Sequence, residues 1–103
     1  MWVMVDLTAT NNDDKQQYEA LIDGSLAVAQ YKRRGNALVF HHTEVPRSLQ
    51  GRGVASALVR SALEDARTRG LTVVPTCSFV SAYISKHPEY LPLVEPDVRR
   101  RLG

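Results

Sequence analysis

Only one cysteine, Cys77, occurs in 103 residues, so no disulfide can form within the chain and a metal site built from several thiolates is excluded. No metal is expected. Long apolar runs are missing too: nothing approaches the roughly 18 residues that span a bilayer, and Trp2-Val3-Met4-Val5 is too short for the apolar region of a secretory signal. A soluble, cytoplasmic protein with no membrane partner is the expectation. Net charge is slight at +2, although Arg99, Arg100 and Arg101 crowd the end. They read as a solvated basic tail over residues 95–103, because neither an arginine-rich recognition helix nor an aromatic stacking platform accompanies them, and nucleic acid is therefore not an expected partner. Repeats and low-complexity segments are absent as well. A chain this short, 44% apolar, has room for one core, so residues 1–103 are expected to form a single domain.

What is present alternates and then changes period. A first strand is expected over residues 3–7, followed by a polar loop from Thr10 to Gln16, so that residues 1–16 form an N-terminal strand and loop. Alternation resumes at Gln17, and Asp23-Gly24 supplies the two left-handed residues of a tight hairpin before Leu26, Val28 and Gln30 continue it. A second polar turn, Lys32-Arg33-Arg34-Gly35-Asn36, leads into a strand from Ala37 to Val45 whose early residues are apolar on both faces, and Pro46 ends it. Strands joined by such short turns must be antiparallel neighbours. From Gly53 the period becomes helical: Val54, Leu58, Ala62 and Ala66 step by four, Arg60, Glu64, Arg67 and Arg69 take the opposite face, and Gly70 is the stop. Leu71-Thr72-Val73-Val74 makes a further strand closed by Pro75, and a short helix is expected from Phe79 to Lys86, ended by Pro88.

Between the long strand and the long helix lies Leu49-Gln50-Gly51-Arg52-Gly53-Val54-Ala55. The first amides of a helix have no internal partner and carry the positive end of its dipole, so they offer an anion several donors at once. Two glycines spaced one residue apart let the backbone approach a phosphate without a Cβ in the way, and Arg52 adds a positive charge. No Lys-Ser or Lys-Thr follows the second glycine and no third glycine stands at the dinucleotide spacing, which excludes the common nucleotide loops. A bare turn into the helix is the alternative for an isolated Gly-x-Gly.

Gln50-x-x-Gly53-x-Ala55 in this setting resembles the (Gln/Arg)-x-x-Gly-x-(Gly/Ala) signature of the GCN5-related N-acetyltransferases. His42-Thr43-Glu44-Val45-Pro46, Val74-Pro75-x-Cys77 and His87-Pro88-Glu89-Tyr90, in that order, resemble a short single-domain branch of that superfamily. The resemblance implies a minimal α/β (α+β) fold: a mixed, mostly antiparallel sheet that splays beside its central strand, with one long helix and a short C-terminal helix. It also implies acetyl-CoA as co-substrate, its pantetheine arm against the backbone near Val45 and its diphosphate on the amides of Gln50, Gly51, Arg52, Gly53, Val54 and Ala55. One departure stands out: ordinary members form much of their acceptor site from two helices after the first strand, and Asp23-Gly24 leaves no space for them here.

Acetyl transfer from a thioester to an amine needs a base for the amine, a donor for the developing oxyanion and an acid near the departing thiolate. His41 is the candidate base, sharing strand parity with Val39, Thr43 and Val45, while His42 and Glu44 point the other way; a sheet histidine with no catalytic part is the alternative. Cys77 is a candidate acyl-accepting nucleophile if a helix N-terminus near Phe79 favours its thiolate, against a small packed thiol and direct transfer. Tyr83 lies on the helix that in relatives carries the acid, or packs in the core. His87 is expected at the cofactor edge, or as a cap on the helix that Pro88 stops. The activity expected is acetyl-CoA-dependent transfer to a primary amine of unknown identity; the alternative is a CoA-binding module or sensor without turnover.

Overall fold

The computed structural model describes residues 9–102, with side chains described for residues 9–99. Five strands form one sheet in chain order: β1 (Thr10–Asn12), β2 (Gln17–Ile22), β3 (Ser25–Arg34), β4 (Ala37–Glu44) and β5 (Thr72–Pro75). The first four are an antiparallel meander, and β5 runs parallel to β4. A crossover to a parallel neighbour needs a helix, and α1 (Val54–Thr68) supplies it after a short 3-10 turn at Arg47–Leu49. α2 (Ser78–Lys86), a second 3-10 segment (Pro88–Leu93) and α3 (Pro96–Leu102) complete the chain. The mixed, mostly antiparallel sheet and its long helix are as expected.

The hairpin between β2 and β3 closes in two residues, Ile22 facing Ser25, with Asp23 at φ 51° and Gly24 at φ 78°. Both angles are left-handed, which asparagine, aspartate and glycine tolerate at least cost.

One face of the sheet is packed. Tyr18 and Ala20 of β2, Ala27, Ala29 and Tyr31 of β3, Leu38 and Phe40 of β4 and Val73 of β5 meet Leu58, Val59, Ala62, Leu63 and Ala66 of α1. Alanines at three of the sheet positions let the helix sit close, and the rings of Tyr18, Tyr31 and Phe40 fill the remaining depth with centroids 5.6 to 6.1 Å apart. On the other face Leu21 and Leu26 stand opposite each other, 72% and 42% exposed.

Two tyrosines tie helix to sheet. Tyr18 donates to Asp65 Oδ2 at 2.6 Å, and Tyr90 donates to Glu64 Oε2 at 2.7 Å. Burial first, then the carboxylate partner, holds both phenols well above the ordinary tyrosine range. The folded state therefore keeps these protons where the unfolded chain loses them, so stability is intact below about pH 10 and falls as pH rises beyond it, by up to about 1.4 kcal/mol per pH unit for Tyr18. Urea midpoints measured across this range should drop at high pH and drop less in Tyr18→Phe; equal slopes in the two proteins would contradict the assignment.

Three expectations are corrected or lie elsewhere. The polar run expected as loop begins with a strand, because an edge strand needs only backbone pairing: Thr10 faces Glu19 and Asn12 faces Gln17, reinforced by Asn12 Nδ2 on Glu19 Oε2 at 3.0 Å and by Tyr31 donating to Asn11 Oδ1 at 2.6 Å. The basic tail is helical over Pro96–Leu102. Proline suits a first helical position, Asp97 sits in the first turn, and Arg99 donates to the Pro92 and Val94 carbonyls, fastening the turn to the sheet through Val94. The strand expected over residues 3–7 lies outside the described residues.

Candidate functional site

The site begins where β4 and β5 part. Their pairing runs from Ala37 opposite Thr72 to Phe40 opposite Pro75 and stops. The Phe40 carbonyl then accepts the N–H groups of both Thr76 (2.9 Å) and Cys77 (3.0 Å) and the Thr76 hydroxyl (2.9 Å), which turns the chain out of the sheet and into α2. Residues 41–44 of β4 go on along β3 alone. The strands part here as a fork, with β4 on one side and Cys77 on the other, bridged where Thr43 meets the sulfur.

A β-bulge sits at the fork. Tyr31 faces Phe40 but Gln30 faces His42, so His41 is an extra residue on β4. The bulge overturns the strand-parity expectation: Val39 faces Lys32 on the side away from α1, whereas Thr43 faces Ala29 on the core side. Val39 and Thr43 thus occupy opposite faces, and His42 pairs with Glu44, Nε2 to Oε1 at 3.5 Å. His41 itself is exposed at the lip of the fork.

Because of the bulge, Thr43 reaches Cys77, with Oγ1 3.6 Å from Sγ. Cys77 is half-buried at the N-cap of α2, φ −77° and ψ 130°. Burial by itself would raise its thiol. The N–H of Val80, the Thr43 hydroxyl and the N–H groups of Phe79 and Thr43 outweigh it and hold the thiol below its ordinary range. The expected helix N-terminus is therefore at the sulfur, and the contact of Thr43 with it is one that alternation missed. The His41-His42 doublet, which breaks the apolar rhythm of Leu38-Val39-Phe40, was the available signal.

The glycine loop lies at the other end of the same β4 exit. Gly51 and Gly53 adopt φ 81° and 75°, and Gly53 is the N-cap of α1 with no side-chain cap and no acidic residue in the first turn. A Cβ at either glycine would meet nothing within 4 Å, so the left-handed backbone and not crowding demands glycine. Among the described residues no protein group accepts the N–H groups of residues 51–55. Gln50 is a correction: its N–H is bonded to the Arg47 carbonyl at 3.2 Å, so that amide is not free for an anion. Its side chain instead donates to the Val45 carbonyl at 3.1 Å, pinning the loop to the end of β4. Val54 is buried beneath the loop, and Arg52 Nη1 contacts Asp23 Oδ2 at 3.2 Å.

Tyr83 and His87 belong together elsewhere. Their rings stack with centroids 4.0 Å apart, His87 Nδ1 lies 2.9 Å from the Tyr83 carbonyl, and Tyr90 packs beside them at 6.1 Å under the Arg67 guanidinium. Burial above all raises the Tyr83 phenol, which Arg60 of α1 lowers and Glu89 and Glu64 raise. Among the described residues neither Tyr83 nor His87 makes a hydrogen bond or ring contact with Cys77 or the 51–55 loop. Nor do three His, Cys, Asp or Glu side chains gather as metal ligands there, and no described helix is long and apolar enough to cross a membrane.

A family model described as GCN5-related N-acetyl-transferase matches residues 17–93. Protein NATD1 of Mus musculus is 31% identical over 87 residues, covering 80% of this chain and 79% of that protein. Protein NATD1 of Homo sapiens is likewise 31% identical over 87 residues, with 80% and 77% covered, and that of Danio rerio is 29% identical over 90 residues, with 82% of each covered.

Proposed function

Since the chain belongs to the GCN5-related N-acetyltransferase family, we propose that it is an acetyl-CoA-dependent N-acetyltransferase that passes the acetyl group to a primary amine. The observation that carries the reading is the fork beyond Phe40, where β4 is left without its parallel partner and a thiol of lowered pKa stands at the mouth. In this reading the pantetheine arm enters the fork along residues 41–44. The diphosphate meets the unpartnered amides of residues 51–55, whose dipole favours an anion, and the donor set is chemically suited to phosphate oxygens.

The Cys77 thiolate attacks the acetyl carbonyl carbon, the bond to the CoA sulfur breaks, and the CoA thiolate leaves with a proton from solvent. A neutral amine then attacks acetyl-Cys77, displacing the thiolate, and its proton passes to His41 at the lip of the fork. Leu21 and Leu26, exposed opposite each other beside a two-residue turn, support a second reading: a CoA-binding module that senses the donor without turning it over.

Thermal unfolding with and without CoA tests both. At one hundred times its dissociation constant CoA adds about 2.7 kcal/mol, a rise of about 10 °C or more in Tm for a domain of this size. No shift removes both readings. A shift with no thioester consumption across a broad amine panel leaves the sensor.

A further inference from the structure

The tip of the β2–β3 hairpin reaches the loop before α1 at two points. Arg52 Nη1 contacts Asp23 Oδ2 at 3.2 Å, and the hydroxyls of Ser25 and Ser48 lie 3.1 Å apart. Nothing in the sheet itself needs these contacts, since the hairpin is closed by its own turn and register. Where larger relatives are expected to place two helices, this chain lays the tip of a hairpin against its glycine loop.

Resting on the reading of residues 51–55 as a phosphate cradle, we propose that Asp23 is a positioning residue that holds the Arg52 guanidinium ready for a phosphate of CoA. The turn fixes the Asp23 backbone independently of the loop, with φ 51° set by the two-residue closure, and the 75% exposed carboxylate reaches Arg52 from there. An unheld arginine samples many rotamers and loses that freedom when it captures an anion. Asp23 engages one terminal nitrogen, Nη1, and among the described residues Nε and Nη2 of Arg52 have no acceptor, so the rest of the fork of donors faces solvent beside Gly51 and Gly53. The Arg52 side chain is 48% exposed and open to an incoming anion. Ser25 and Ser48 add a second tie, so hairpin and loop keep their spacing while the site is empty of anion. Asp23 touches no ligand; it acts through Arg52.

Asp23→Asn is a clean test, because Asn-Gly is the preferred pair for this turn and only the charge is removed. Calorimetric titration with CoA is expected to show a dissociation constant raised about two- to five-fold, the range of an exposed ion pair. In an Arg52→Gln background the same substitution should change nothing further. Dephospho-CoA, which lacks the 3′-phosphate, locates the contact: a loss that persists puts Arg52 on the diphosphate, a loss that vanishes puts it on the 3′-phosphate. The proposal is overturned by unchanged or tighter CoA binding in Asp23→Asn, or by a loss that remains when Arg52 is already gone. If the unsubstituted protein does not bind CoA, the cradle reading itself fails, an outcome distinct from those.

Discussion

Phe40→Ala is expected to lower the unfolding free energy by about 3–5 kcal/mol. The ring is 1% exposed and touches both Tyr18 and Tyr31, so its removal leaves a void between β2, β3 and β4 that neighbouring alanines cannot fill. For a domain of about 100 residues, with total stability of roughly 5–15 kcal/mol, the cost is a fall in Tm of about 12 °C or more. The same position controls the site, because the Phe40 carbonyl holds the N–H groups of Thr76 and Cys77 at the fork. The variant keeps that backbone carbonyl, but the void loosens the strand end that carries it, so the alkylation rate of Cys77 should change at temperatures where the protein is still folded. Chemical denaturation gives the first quantity and thiol alkylation the second; a loss below about 1 kcal/mol would mean that the aromatic cluster is not the centre of the core.

Mixing the protein with acetyl-CoA and no amine is expected to leave one acetyl group on Cys77, visible by intact mass. Cys77→Ala should remove that adduct and reduce amine-dependent thioester consumption by about 10²-fold or more. The sign of the pH effect follows from the lowered thiol. The fold favours the thiolate, so alkylation by iodoacetamide stays fast down to a pH below the ordinary thiol range of about 8.5 and is lost as pH falls through the folded-state value. Thr43→Val deletes the hydroxyl that faces the sulfur, and the midpoint should move back up. Full turnover in Cys77→Ala would establish direct transfer and leave the thiol a packed residue.

Much of this was legible along the chain. Asp23-Gly24 announced a two-residue hairpin because few residue pairs accept two left-handed conformations in a row, and Val54, Leu58, Ala62 and Ala66 announced α1 because a four-residue step can bury only one side of a helix. The glycine loop was visible by its spacing, but as room for a phosphate, whereas the structure shows that positive φ is what both glycines supply. Residues 10–12 were not, since a polar edge strand draws its stability from backbone bonds that composition does not record. The helix at 96–102 was missed because its docking depends on Val94 and Val73, distant in sequence. Gln50 was placed with the free amides, yet a local 3-10 bond had already taken its N–H.

Local conformation, period and turn chemistry are properties of neighbouring residues, so the amino-acid order alone determined the meander, the long helix, the place of the glycine loop and the family likeness. The fork and the chemistry at its mouth depend on register. A single extra residue at His41 reverses which faces Val39 and Thr43 occupy and carries the Thr43 hydroxyl to Cys77, 34 positions away in sequence. Register is settled by which residues the sheet buries against α1 and α2, and only the folded chain brings those distant elements together.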